Sequence, residues 1–334
     1  MSGASSSPSL PNISLIVLGG TITMTSGAGG GITPRLTAEA LLAAVPGLEA
    51  VANVTPLSPF RIPGASLTLD QIGEVAGLAR EAVRDGAAGV VVVQGTDTIE
   101  ETTFALDCMW DEEAPIVVTG AMRGPEAAGA DGPANILAAV MTAASHQARA
   151  RGALAVMDDH IHTATAVTKS HTGFCSAFIS AGQGLSGEVM EGAAFFFAPP
   201  TVRRRACAIP SRAIPPVALI KPGIGEDSRL IEALPDLGYR GAVIEAMGAG
   251  HVAEGLSGPL AALARVFPVI LASRTGSGPV FRKTYGFKGG EIDLLSKGLI
   301  PAGRLNALKA RLLLQLVLAN GGAHDDVVRA FASE

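Results

Sequence analysis

A two-domain α/β fold is predicted: a larger N-terminal domain with a doubly wound, mostly parallel sheet, then a smaller α/β domain. Three observations predict it. Strand-like and helix-like stretches alternate along the chain with mostly short connections, the pattern of repeated β-α-β winding with right-handed crossovers. Residues 89–93 read GVVVV, an apolar β-branched run typical of a strand buried on both faces. The length, 334 residues, is long for a single core.

Taken in order, MSGASSSPSLPN at 1–12 has no basic segment and no apolar run and reads as a disordered lead. The first strand is expected over Ile13–Leu18, a helix over Thr37–Val45 and a strand over Val51–Leu57. Thr68-Leu69-Asp70-Gln71 has the capping-box pattern and opens a helix to about Arg84. The 89–93 strand follows. Thr98-Ile99-Glu100-Glu101 repeats the capping-box pattern and opens a helix to 110. A strand at 115–119, a helix at 133–150 and a strand at 153–157 continue the winding. Between about 185 and 215 the pattern loosens into a Pro- and Arg-rich connector, so the N-terminal domain is assigned to 13–200 and the linker to 201–215. The second domain, 216–334, is expected to carry strands near 216–220, 241–245 and 268–272. Its long helix, Asn306–Ala319, is stopped by Gly321-Gly322.

Composition narrows the classes. Apolar residues make up 48% of the chain and charged residues 16%, so a large core is expected and disorder is not. A net charge of −5 offers no basic field for nucleic acid. No apolar run approaches the roughly 20 residues of a membrane span. The three cysteines, Cys108, Cys175 and Cys207, have no metal-binding or C-x-x-C spacing and read as core thiols of a reducing compartment. A cytoplasmic protein is expected, with no nucleic-acid or membrane partner.

The chemistry concentrates at strand ends. The Gly89–Val93 run is followed by Gln94-Gly95-Thr96-Asp97, which sets a hydroxyl beside a carboxylate at the carboxyl end of a central strand. Open α/β sheets bind their ligands there. Asp97 as a mere helix-capping acid is the alternative. The first strand ends in Gly19-Gly20-Thr21-Ile22 and would deliver the Thr21 hydroxyl into the same crevice. A phosphate-binding role fits poorly, because neither G-x-G-x-x-G nor G-x-x-x-x-G-K-[ST] occurs there.

GGTI at 19–22, GTDT at 95–98 with the IEE that follows, and TGAMR at 119–123 together resemble the bacterial-type L-asparaginase/glutaminase amidohydrolases. ADGPANIL at 130–137, VTKSHT at 167–172 and KARLLLQL at 309–316 extend the likeness, in family order, over almost the whole chain. The resemblance implies a flavodoxin-like C-terminal domain, a small-molecule amide substrate, and no cofactor or metal. It also implies a homodimer or homotetramer with its sites at the subunit interface. By motif match Thr21 corresponds to the family nucleophile, and Thr96, Asp97 and Lys169 to its threonine–aspartate–lysine set. That assignment makes physical sense. A threonine hydroxyl needs a base within hydrogen-bond reach, and an amine beside a carboxylate can exchange a proton through a neighbouring hydroxyl. Backbone N–H groups near Thr21 and Ala121 are the oxyanion candidates. Counting back from 305–311, Glu291 aligns with the acid that a neighbouring subunit offers to the substrate α-amino group. On residue type alone it could equally be an exposed glutamate at a helix start.

Departures from the family pattern fall on substrate recognition. Leu18 precedes the glycines, Thr23 replaces a small residue, and Gln94 stands for the usual histidine. The lid region 22–40 has no tyrosine; Tyr285, six residues before Glu291, is the candidate replacement, and Tyr239 reads as structural. The segment that usually presents serine and glutamine reads Pro63-Gly64-Ala65-Ser66-Leu67, so Gly64 or Ser66 must serve. His160, His162 and His171 lack acidic or cysteine partners at ligand spacing, and His251 is expected behind the substrate. Two classes remain open. One is a threonine amidohydrolase acting on L-asparagine, or on glutamine, D-asparagine or a non-amino-acid amide. The other is a non-catalytic or regulatory homologue that binds an amino acid.

Overall fold

The computed structural model describes residues 9–20, 22, 24–26, 32–34, 37–200 and 207–332. The chain divides into two compact units, Met1–Arg203 and Arg204–Glu334. Most of the expected lead and residues 201–206 of the expected linker lie outside the described residues.

The first unit begins with β1 (Asn12–Val17), a hairpin of β2 (Met24–Ser26) and β3 (Ile32–Pro34), α1 (Ala38–Ala43), β4 (Asn53–Leu57) and α2 (Leu69–Arg84). It continues with β5 (Gly89–Val93), α3 (Ile99–Met109), β6 (Ile116–Thr119), α4 (Gly132–Ala144) and β7 (Ala153–Met157). Five shorter strands complete it: β8 (His160–Thr163), β9 (Val167–Lys169), β10 (Phe178–Ser180), β11 (Gly187–Met190) and β12 (Ala193–Phe196). Eight strands form one sheet in the order β12-β11-β8-β7-β6-β5-β1-β4. From β7 to β4 all neighbours are parallel, whereas β8, β11 and β12 extend the edge antiparallel.

Burial explains the central run. Every residue of β5 is buried. Val91 and Val93 join Leu15, Val17, Leu41 of α1 and Ile136 and Val140 of α4 in one core. Val90 and Val92 face the other way and are equally closed to solvent. Burying each such side chain contributes roughly 1.5–3 kcal/mol. In α2 the capping box forms as expected: Thr68 Oγ1 accepts from Gln71 N and Gln71 Oε1 accepts from Thr68 N. Ile72, Val75, Ala76 and Ala79 bury its one apolar face.

Two expectations need correction. Thr98 precedes α3 but does not cap it with its side chain; its hydroxyl donates instead to the Gly64 carbonyl at 2.9 Å. The loosened pattern after 185 is not all connector, because β11 and β12 pair as a hairpin in the large sheet.

The second unit runs β13 (Val217–Ile220), α5 (Arg229–Ala233), β14 (Gly241–Ala246), α6 (Glu254–Ala264), β15 (Val269–Ser273), α7 (Glu291–Ser296), β16 (Ile300–Pro301), α8 (Ala307–Ala319) and α9 (His324–Ala332). Its four strands are parallel and lie in sequence order. Ile220, Ile244, Leu256, Leu260, Leu271 and Leu294 belong to its core. Asn306 caps α8 by accepting from Lys309 N, and Gly321, at φ +77°, follows its end. Among the described residues no helix is long and apolar enough to cross a membrane.

Candidate active site

Strand β1 has β4 on one side and β5 on the other, so the winding changes direction between β1 and β5. At such a switch point the carboxyl ends of adjacent strands open a crevice. Here it is lined by glycine backbone. A Cβ on Gly20 (φ +96°) would lie 2.1 Å from Gly95 N, and one on Gly64 would lie 2.6 Å from Gly95 O. Three segments from three strand ends therefore touch main chain to main chain, which only glycine permits. Thr21, next along, lies outside the described residues.

Thr96 and Asp97 sit in a single 3-10 turn, Thr96–Thr98, between β5 and α3. Their partner comes from the small β9-β10 hairpin. Lys169 Nζ donates to Thr96 Oγ1 at 2.9 Å and to Asp97 Oδ1 at 2.8 Å. Thr96 is buried, the Lys169 side chain is 17% exposed and that of Asp97 is 68% exposed. The ion pair therefore reaches solvent and adds little to stability, on the order of 0–1 kcal/mol. The hydrogen bond to the buried hydroxyl is the more specific contact. Asp97 and Lys169 line a cavity of about 510 Å³ with Ser170, His171 and Thr172. Glu100, in the first turn of α3, accepts from Lys169 N at 3.3 Å and ties the hairpin to the same helix.

Thr98, the last residue of the turn, and Gln94, just before it, face another neighbour. Gln94 is fully buried, and its Nε2 donates to Thr98 Oγ1 at 3.1 Å; Thr98 passes the chain on to Gly64 O. Loop 63–66 is thus held against the turn through backbone. Ser66 is exposed at the end of the short Gly64–Ser66 helical turn. Ala121 is buried beside the opening loop, because a Cβ on Gly132 would touch both Ile22 and Ala121.

In the second unit Glu291 is the first residue of α7 and is closed to solvent. Its Oε1 accepts from Thr284 N at 2.9 Å and Tyr285 N at 2.7 Å, and its Oε2 lies 3.2 Å from His251 Nε2. Burial pushes this carboxyl up, but the Tyr285 and Thr284 N–H groups and the His251 bond outweigh it and hold it below the usual carboxylate range. The His251 ring meets Tyr285 edge-on at 4.7 Å. Glu291 is therefore not the exposed helix-start glutamate that residue type alone allows.

Family profiles described as "Asparaginase, N-terminal" and "Glutaminase/Asparaginase C-terminal domain" match residues 12–202 and 216–331. The chain belongs to the asparaginase family. A probable L-asparaginase of Deinococcus radiodurans is 37% identical, over 97% of this chain and 98% of that protein. L-asparaginase 2 of Escherichia coli is 31% identical, over 92% and 89%. A solved structure, a probable cytoplasmic L-asparaginase from Campylobacter jejuni, superposes with a TM-score of 0.85 at 26% identity, over 96% of this chain and 99% of that one.

Within this asparaginase-family fold, Thr96, Asp97 and Lys169 meet directly, and Gly64 and Ala121 border the same strand ends. Tyr285 and Glu291 meet each other in the second unit. Glu100, Asp131 and Asn135 were not singled out from sequence. Their signal was present in IEE and ADGPANIL, whose acidic and amide residues had no assigned partner. His162 is buried with Nδ1 2.9 Å from Ser180 Oγ, and His171 stacks on Phe174 at 3.7 Å.

Proposed function

We propose that this protein hydrolyses the side-chain amide of L-asparagine, or of a related small amide, to the acid and ammonia. The observation that carries the reading is the pair of hydrogen bonds that Lys169 Nζ donates to Thr96 and Asp97 at the sheet's switch point. A purely structural lysine has no need of a buried hydroxyl and a carboxylate on consecutive residues.

In this reading the Thr21 hydroxyl adds to the amide carbon while its proton passes to a base. The tetrahedral intermediate collapses to an ester, and nitrogen leaves as ammonia with a returned proton. Water, deprotonated through Thr96 and Lys169 with Asp97 holding the amine, then splits the ester and restores Thr21. Ala121 N–H and the N–H groups around Thr21 stabilise the oxyanion. Gly64 and Ser66 meet the substrate α-carboxylate. Glu291 and Tyr285 complete the pocket from a neighbouring subunit, in a homodimer or homotetramer. Membership of the asparaginase family supports the amidohydrolase class, and the neighbour described as cytoplasmic supports that compartment.

The test is ammonia release from purified protein with L- and D-asparagine, L- and D-glutamine and small amides lacking an α-amino group. Turnover of L-asparagine above the others is expected. Binding without ammonia from any amide would overturn the reading and favour a regulatory homologue.

A further inference from the structure

The first unit holds a second cavity, of about 560 Å³, and none of its lining residues belongs to the proposed mechanism. Small-molecule sites fall in this size range. One wall is basic: His146, Arg149 and Arg151, from the segment that joins α4 to β7. The other is apolar: Phe196, which ends β12, with Phe197 and Pro199 just beyond it. Ala150, between the two arginines, has φ +60°, a left-handed conformation that alanine seldom adopts. Its N–H donates to Glu113 O at 2.8 Å. Both arginines line the cavity from either side of this turn.

The two arginines differ in what balances their charge. Arg149 Nη2 lies 2.8 Å from Glu113 Oε2. Arg151 instead meets neutral groups: Nε donates to Gln147 O at 2.7 Å and Nη2 to Ala198 O at 2.6 Å. Its guanidinium carbon stands 4.0 Å from the centre of the Phe196 ring. Among the described residues no carboxylate pairs with Arg151, and burial lowers its pKa with no opposing charge to raise it again. A guanidinium carries five N–H groups in a rigid fork. Two carbonyls take one each from Nε and Nη2 and fix the plane of the fork, which leaves the Nη1 and Nη2 end open. That end matches the two oxygens of a carboxylate. With Arg149 paired, Arg151 is the guanidinium of this cavity that lacks a counter-charge, so a single carboxylate balances it. Phe197, 59% exposed, offers apolar surface beside it. We propose that the cavity binds a small carboxylate with a flat apolar body. Its two oxygens meet Arg151 and its body lies against Phe197 and Pro199. The site is independent of the amide chemistry.

The alternative role for Arg151 is a tie between residues 147 and 198 with no ligand, and calorimetry on the full chain separates the two. The probes are benzoate, acetate, which lacks the flat body, and benzyl alcohol, which lacks the charge. Benzoate is expected to bind roughly tenfold more tightly than either, because only it satisfies both walls. Arg151→Gln and Phe197→Ala should each weaken benzoate by about tenfold. Arg151→Lys should weaken it too, since it keeps the charge but loses the fork. Phe197 is exposed, so Phe197→Ala should fold, and it decides alone if the Arg151 variants do not. No benzoate binding at millimolar concentration would overturn the proposal and leave Arg151 as the tie. Acetate or benzyl alcohol binding as tightly as benzoate would also overturn it. So would benzoate binding that survives both Arg151→Gln and Phe197→Ala, since the anion would then lie elsewhere.

Discussion

Lys169 Nζ lies 2.9 Å from Thr96 Oγ1, across 73 residues of sequence, and 2.8 Å from Asp97 Oδ1. One ammonium thus joins two adjacent side chains of a turn whose third residue, Thr98, binds a different loop. If the three act as one proton path, removing any member should disable it. Lys169→Met and Thr96→Val should each nearly abolish ammonia release, and the double variant should be little worse than either single. A double-mutant cycle in kcat checks this, since groups working as a unit are strongly non-additive. Losses that multiply would mean separate roles.

Thr21 follows the Gly19-Gly20 bend and carries the proposed nucleophile. Thr21→Ala removes one small hydroxyl, so the fold should survive and kcat should fall by several orders of magnitude. Circular dichroism with single-turnover ammonia release separates the two effects. Turnover near that of the parent would remove Thr21 from the mechanism.

Gly64 stands where the resemblance expects a serine. A Cβ there would come within 2.6 Å of Gly95 O, so backbone must move to admit any side chain. Gly64→Ser should therefore destabilise the protein by about 1–3 kcal/mol, the range for overpacking. It should also raise KM, because the displaced loop is the proposed carboxylate site. Thermal unfolding and steady-state kinetics check both. A Gly64→Ser variant of unchanged Tm and lowered KM would show that the loop yields freely.

Much of the fold was legible because its signals are local. The β5 run announces a strand buried on both faces, and the α2 capping box lies within four residues. Thr98 carried the same capping signal, but the Gly64 carbonyl, 34 residues away, takes its hydroxyl. Distant partners of that kind leave no trace in residue spacing. The β11-β12 hairpin was missed because it sits at the sheet edge with alternating, partly exposed residues running into prolines. In the site, Thr96 and Asp97 could be placed at a strand end from pattern alone. Lys169 could not, since nothing local marks a lysine as the partner of a turn 72 residues earlier. The burial of Glu291 was equally hidden, because its acceptors' partners are main-chain N–H groups and a histidine 40 residues back.

Asp293, in the first turn of α7, makes a pH-dependent contribution. Burial pushes its carboxyl up, but Lys297, the Ser257 hydroxyl and Gly289 N–H outweigh that and bring it down to about 2. Lys297 Nζ lies 2.7 Å away and Ser257 Oγ 2.6 Å away. The folded value is below the unfolded one of about 3.9. The stabilisation is therefore complete above about pH 4 and fades as pH falls through about 2. Its size is about 2 kcal/mol at neutral pH. Asp293→Asn should be less stable than the parent at pH 7, with the gap closing between pH 4 and pH 2. Urea unfolding across that window checks the sign. A gap independent of pH would show that the loss is packing rather than charge.

The last prediction concerns Glu291 and the shared site. Within its own chain the carboxylate is buried and fully engaged, so Glu291→Ala would strand the Thr284 and Tyr285 N–H groups. Glu291→Gln is the better probe. Its carbonyl oxygen can still accept from those N–H groups, while its NH2 faces His251 Nε2 and forces the imidazole hydrogen to Nδ1. Loss of the charge should raise KM for amides carrying an α-ammonium by roughly 10-fold or more. It should spare an amide without one, since a carboxylate favours only the substrate bearing the opposite charge. If Glu291 serves the neighbouring subunit, Thr21→Ala and Glu291→Gln subunits reassembled together should regain turnover at the parent's low KM, which neither shows alone. Each hybrid pair then holds one site with both residues native. Demonstrable hybrids without recovery would confine Glu291 to its own chain, as the anchor of His251 and of the Thr284–Tyr285 turn. A protein that stays monomeric at working concentration would exclude a shared site altogether.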